Sequence, residues 1–156
     1  MDAYSFETLV VLINGVEIQG WDDADDVIQI KRLTDLASHK VGCDGKMVVS
    51  LSADKSGEFT FKLLQTSPSN KFLMSLAALQ GGGANTFIPV SCLFQDTFRQ
   101  DVGTGTTGYI QKMPDVSRGK NASTQEWIII VERLDLLLGN PALVGAAVAA
   151  GFAMNP

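Results

Sequence analysis

Glu58-Phe59-Thr60-Phe61-Lys62-Leu63-Leu64-Gln65-Thr66-Ser67-Pro68-Ser69-Asn70 decides how this chain is read. Phe59, Phe61 and Leu63 alternate with Glu58, Thr60 and Lys62. Successive side chains of an extended backbone point to opposite faces, so this is a strand of a sheet with one wet face. The period changes directly afterwards. Thr66-Ser67-Pro68 offers a hydroxyl cap with proline in the first helical turn, and Phe72, Leu73, Leu76 and Leu79 follow at helical spacing until Gly81-Gly82-Gly83 ends the helix.

Toward the N-terminus, residues 47–52 predict a strand joined to the first by Ala53-Asp54-Lys55-Ser56-Gly57. Residues 27–33 predict another, with Ile28 and Ile30 on one side and Gln29 and Lys31 on the other. Residues 8–13 and 16–18 are apolar runs around Asn14-Gly15, a hairpin signal because both turn residues tolerate positive φ. Toward the C-terminus, residues 86–94, 106–111 and 125–131 read as strands. Gly103-Thr104-Gly105-Thr106-Thr107-Gly108 lacks the Gly-Lys-Ser/Thr of a phosphate loop and reads as a flexible turn between strands. Residues 34–46 have little sustained period and read as a long irregular loop. Such loops in compact domains are functional or become ordered on assembly.

The 156 residues suffice for one domain with a real core, which buries about 70% of its unfolded surface. Fifteen glycines spread along the chain against five prolines fit many turns between short strands. A net charge of −5 argues against binding nucleic acid by phosphate neutralisation, which needs clustered Lys and Arg. Asp22-Asp23-Ala24-Asp25-Asp26 self-repels and belongs in a solvated loop; it lacks the spacing and distal Glu of a calcium loop. Cys43 and Cys92 carry neither a CxxC nor a Cys/His pattern, so both are expected as reduced thiols, at least one buried, with no metal site. His39 is the single histidine, has no nucleophile at motif spacing, and reads as a surface side chain. No cofactor fingerprint occurs, and the N-terminus shows no secretory signal, so the chain is expected to begin in a cytoplasm.

Residues 140–156 form a small, apolar extension to a domain of residues 1–139. The extension is too short for a membrane span of about 20 apolar residues. Leu143, Val144 and Phe152 would be an aggregation liability if exposed, so they are expected to pack on the chain's own barrel or, preferentially, on a neighbouring subunit.

Several motifs in order resemble the short, single-domain tail tube proteins of contractile-tailed phages. They are Tyr4-Ser5-Phe6, Gly42-Cys43-Asp44-Gly45, Lys55-Ser56-Gly57, Leu63-Leu64-Gln65-Thr66-Ser67-Pro68-Ser69-Asn70, Gly108-Tyr109-Ile110-Gln111-Lys112-Met113-Pro114-Asp115, Glu126-Trp127 and Leu138-Gly139. Cys43 stands where such proteins often carry a small residue such as alanine, and the segment after Gly139 looks like an addition. The resemblance implies a mainly β protein, a β-sandwich or barrel with one flanking helix, similar in fold to the haemolysin-coregulated tube protein of type VI secretion. It implies six-membered rings stacked into a hollow tube inside a sheath in the virion tail, assembled in the bacterial cytoplasm. Sheath, baseplate and terminator proteins would be partners, DNA would pass without tight binding, and neither cofactor nor membrane would be involved.

Under that reading Thr34, Asp35, His39, Lys40, Asp44 and Lys46 are candidates for contact between rings. Tyr4, Phe6, Leu143, Val144 and Phe152 are candidates for contact through the termini, and Glu58, Thr60 and Lys62 for lining the lumen. The competing readings are a small β-barrel binding module or enzyme using Asp22, Asp25 and Asp26 on a metal or sugar, and a tail-completion or type VI-like tube protein.

Overall fold

The computed structural model describes residues 4–139. Nine strands and one helix follow in the order β1 (Leu9–Ile13), β2 (Val16–Glu17), β3 (Ile28–Arg32), β4 (Ala37–Val41), β5 (Met47–Leu51), β6 (Gly57–Leu64), α1 (Ser69–Gly81), β7 (Val90–Asp96), β8 (Asp101–Lys112) and β9 (Thr124–Leu137). Seven strands form one antiparallel sheet in the order β2-β1-β7-β8-β9-β6-β3, while β4 and β5 pair only with each other. Asn14 and Gly15 turn the first hairpin with φ of 51° and 82°, as their dipeptide predicts.

The sheet curls on itself. Gly103 on β8 and Ile30 on β3 lie three strands apart, a separation of about 14 Å in a flat sheet. Yet a Cβ on Gly103 would sit 3.4 Å from Ile30 Cδ1. The chain itself bridges the two edges: Ile18 N–H donates to Val11 O on β1, and a few residues later Trp21 pairs with Leu63 on β6. Two serines pin this bridge to the start of α1. Ser67 Oγ donates to Gln19 O, and Ser69 Oγ accepts from Gln19 N–H at 2.9 Å. Ser67 Oγ also accepts from Ser69 N–H at 3.2 Å, but the N-cap position is Pro68, which makes no side-chain cap bond, so the expected hydroxyl cap with proline inside the first turn is corrected.

Inside the curl lie Val11, Ile13, Phe59, Phe61, Leu63, Val90, Cys92, Trp127, Ile129, Val131 and Leu134, joined by Leu73 and Leu76 of α1. Aromatic side chains bury about 150–250 Å² each, worth roughly 4–6 kcal/mol of transfer free energy as an upper limit, so Phe59, Phe61 and Trp127 dominate this core. Trp127 Nε1–H donates to Asn70 Oδ1 at 3.0 Å, and Asn70 Nδ2 donates to Leu64 O. The far end of α1 is held by Gln80, which exchanges two hydrogen bonds with the backbone of Ile110 on β8.

Two further expectations are corrected. The Gly103–Gly108 stretch is no flexible turn but the middle of β8, and its glycines are required because Phe59 and Val131 fill the space above Gly105. Residues 34–46 are not wholly irregular: β4 occupies 37–41 and pairs with β5, and a tight turn joins the two. An exposed hairpin shows weak periodicity because neither face meets the core. Strands β7, β8 and β9 also differ from the sequence bounds, β8 and β9 being much longer than predicted.

Candidate functional site

The β4–β5 hairpin stands off the barrel as an arm. β3 leads into β4 and β5 into β6, so the arm continues the β3–β6 ladder after a short break. The break is itself held: Leu33 N–H donates to Ser56 O, Ser52 N–H to Leu36 O, and Thr34 Oγ1 to Asp54 O. Asp54 accepts from both Ser56 Oγ at 2.6 Å and Ser56 N–H, and these bonds hold its carboxyl below the ordinary aspartate range. At the tip Gly45 has φ of 82°, and Asp44 Oδ1 accepts from Lys46 N–H.

Directly opposed residues of an antiparallel pair share a face. Ala37 opposes Leu51, His39 opposes Val49 and Val41 opposes Met47, so one face of the arm is apolar apart from His39. The other face carries Ser38, Ser50, Lys40 and Val48. Leu51 is 83% exposed, Met47 59% and Val41 53%. A two-stranded hairpin is marginal in water by itself, and this apolar face is uncovered among the described residues. The sequence candidates Thr34, Asp35, His39, Lys40, Asp44 and Lys46 all lie on the arm or its base and are exposed. Sequence reasoning missed the residues that form the apolar face; the alternation in Met47–Leu51 was the available signal, hidden because Val48 is apolar on the opposite side.

The second surface is the outer face of β6 with its neighbours. Glu58, Thr60 and Lys62 do share this face, as predicted, but it is not uniformly wet. Thr60 is only 7% exposed because Gln29 and Ile128 flank it in the sheet. Glu58 pairs with Lys31 at 3.3 Å and Lys62 with Asp26 at 2.9 Å. The hydrogen bond from Lys62, reinforced by its charge, holds the Asp26 carboxyl below its ordinary range, and Asp26, Glu126 and Asp22 together raise Lys62 above its own. Three carboxylates therefore surround one ammonium.

The third surface is a groove of about 610 Å³ at one end of the barrel, reached by Tyr4 and Phe6 from the N-terminal segment and by Leu138 after β9. Phe6 packs edge-on to Trp21, with ring centroids 5.9 Å apart. The remaining candidates at the termini, Leu143, Val144 and Phe152, lie outside the described residues.

Groups that could carry chemistry are otherwise engaged. Asp22 Oδ2 accepts from Thr124 Oγ1, and Asp26 accepts from Gln29 as well as Lys62, so both carboxylates are taken up by the chain's own donors. Among the described residues no cluster of three or more His, Cys, Asp or Glu side chains could hold a metal. Burial pushes the Cys92 thiol up to about 12, which leaves it inert, whereas Cys43 is exposed at the arm's tip. Among the described residues no helix is long and apolar enough to cross a membrane.

No curated protein matches the sequence. Solved structures share the fold at low identity. The sheath/tube terminator of the extracellular contractile injection system PVC superposes with a TM-score of 0.64 at 9% identity, over 88% of this chain and 98% of that one. A chain of the PVC sheath–tube complex gives 0.57 at 7%, over 87% and 92%. The tube-terminating cap of the anti-feeding prophage gives 0.54 at 7%, over 89% and 93%. The model of the family described as Bacteriophage PhiTE tail tube protein matches residues 1–139, the whole domain that forms the barrel and its arm, so this chain belongs to that family of structural, non-enzymatic phage tail proteins.

Proposed function

We propose that the chain is the repeating subunit of a tail tube: six copies close a ring, rings stack into a hollow tube inside a contractile sheath, and DNA passes through it on ejection. The observation that carries this reading is the arm, whose apolar face has no partner among the described residues and whose length, about 17 Å per strand, lets it reach another copy. Each Val, Leu or Met covered there contributes about 1.5–3 kcal/mol. The contact is assigned between rings, through Thr34, Asp35, His39, Lys40, Asp44 and Lys46 together with Val41, Met47, Val49 and Leu51. Lateral joining uses the outer edge of β3, which pairs with no other strand among the described residues; ring closure then removes an edge that would otherwise aggregate.

The outer face of β6 is assigned to the lumen. Its excess of carboxylates around Lys62 repels phosphates, which favours rapid passage of DNA over binding. Partners follow from the architecture: sheath around the tube, baseplate and terminator proteins at its ends, in a virion tail assembled in the host cytoplasm. The likeness to a terminator and a cap supports a second reading, a single ring that ends a tube. Electron microscopy of the purified protein separates the two. Open-ended tubes of variable length are expected; rings of fixed height would establish the terminator, and a dispersed monomer would overturn both.

A further inference from the structure

The groove at the barrel end and the face of the arm are both apolar surfaces left uncovered among the described residues. Ile28 and Ile30 reach the groove from β3 and Phe94 from β7, while Tyr4 and Leu138 stand 69% and 66% exposed on its rim. Its volume of about 610 Å³ lies within the ~300–1,000 Å³ typical of binding clefts. No residue of β4 or β5 lines it, so the chain's own arm does not fill it. The charges of the two surfaces are complementary. Asp25, Asp96 and Asp101 line the groove, and no lysine or arginine does. Asp96 is engaged by Thr8 and by the N–H groups of Phe98 and Arg99, whereas Asp25 is exposed. Between Ala37 and Leu51 the arm carries Lys40 and Lys46 against one carboxylate, Asp44, in a chain whose net charge is −5.

We propose that the groove of one copy receives the β4–β5 arm of a second copy, with Val41, Met47, Val49 and Leu51 of the arm covering Ile28, Ile30 and Phe94. This rests on the reading of the arm as a contact between copies and adds the surface that receives it. Lys40, on the opposite face of the arm, and Lys46 at its turn have flexible stems long enough to reach the carboxylates at the rim. Opposite charge on the two surfaces fixes their register and disfavours contact between two grooves. β3 runs from one surface to the other: Ile28 at its start lines the groove, and past Arg32 the chain enters the arm. The two surfaces therefore lie toward opposite ends of one strand. Two different patches that fit each other make a heterologous contact, which repeats indefinitely when its rotation does not close. Copies in a single orientation thus follow one another, arm to groove. The arm rests on core-facing side chains of β3, so the backbone edge of that strand stays available for lateral joining.

The arm carries its own reporter, because Cys43 is exposed at the tip while Cys92 is buried and inert. Tyr4→Cys and Leu138→Cys, both on the rim, are assembled separately in the full chain under mild oxidation. They are compared with Ala78→Cys, exposed on α1, which does not line the groove. All three change exposed positions, and circular dichroism checks that each remains folded. Every copy then holds one tip cysteine and one introduced cysteine. Contacts from arm to groove link such chains into a ladder on a non-reducing gel, whereas bonds between two Cys43 thiols stop at dimers. The expected result is at least tenfold more multimer from one or both rim variants than from Ala78→Cys, lost when Cys43→Ser is added. Tubes without the ladder, or with an equal ladder from Ala78→Cys, would overturn the groove as receiver and leave the tube standing. A ladder without tubes would support the groove and overturn the tube, and a dispersed monomer with neither would overturn both. A disulfide within one chain would overturn the assignment to a second copy. As a second readout, Lys40→Glu/Lys46→Glu should raise the critical concentration for assembly at least threefold, and adding Asp25→Lys should recover most of the loss; no recovery counts against the proposal.

Discussion

A Cβ on Gly105 would lie 2.7 Å from Val131 Cγ1 and 2.8 Å from Phe59 Cε1, closer than real contacts allow. Gly105→Val therefore forces the core apart and is expected to destabilise the subunit by about 1–3 kcal/mol, read as a lower denaturant midpoint with an unchanged slope. Asn70 carries a different burden: it is the acceptor for the Trp127 indole, which is fully buried. Asn70→Ala leaves that N–H without a partner and should cost about 1–3 kcal/mol by the same measurement. Asp96 shows how pH enters. Burial pushes its carboxyl up, but hydrogen bonds from Arg99 N–H, Thr8 Oγ1 and Phe98 N–H outweigh burial and hold it below the ordinary range. A carboxyl lowered on folding contributes stability that is complete above its unfolded value, about 3.9, and is lost as pH falls through the folded value. Stability is expected to be level from pH 7 to 5 and to fall below about pH 4, with Asp96→Asn showing a smaller fall. An equal acid response in that variant would remove Asp96 from the account.

At the scale of elements, the arm separates folding from assembly. Its face of Val41, Met47, Val49 and Leu51 touches no core, so Val49→Lys/Leu51→Lys should leave the melting temperature of the isolated subunit within about 2 °C. Losing even 1.4 kcal/mol per contact raises the critical concentration for assembly about tenfold, and two uncovered side chains lose more. Pelleting assays across a concentration series measure this; tubes at the wild-type threshold would show that the arm is not the contact. Cys43 at its tip reports the same event, reacting with a thiol reagent in the free subunit and being protected in tubes. The sequence made the β6 strand and the start of α1 legible because Phe59, Phe61 and Leu63 enter the core while their neighbours do not. It showed β5 but hid β4 and so the arm, because exposed strands need no such alternation, and it hid the first half of β8 because the glycines that signal a turn were there to admit Phe59 and Val131 from elsewhere in the chain.

At the scale of the whole molecule, the proposed tube would turn local charge into a property of a channel. Around Lys62 the carboxylates of Asp22, Asp26 and Glu126 prevail, and in the proposed tube a stack of rings would repeat this many times. Tubes built from Glu58→Lys/Glu126→Lys are expected to retain DNA at low salt and release it as salt rises, while wild-type tubes retain none, as a filter-binding assay would show. Tubes of the variant that stay as inert as wild type would place this face away from the lumen.

By itself the sequence determined the β class, the single α-helix, the Asn14-Gly15 hairpin, and the membership announced by ordered motifs along residues 4–139, because each rests on local period or turn chemistry. Tertiary structure alone decided the curling of the sheet, the Gln19 bridge between its edges, the burial of Thr60, the apolar face of the arm and the groove beside Leu138. Each of these depends on which distant segment comes to lie opposite a residue, and no local period in the chain encodes that.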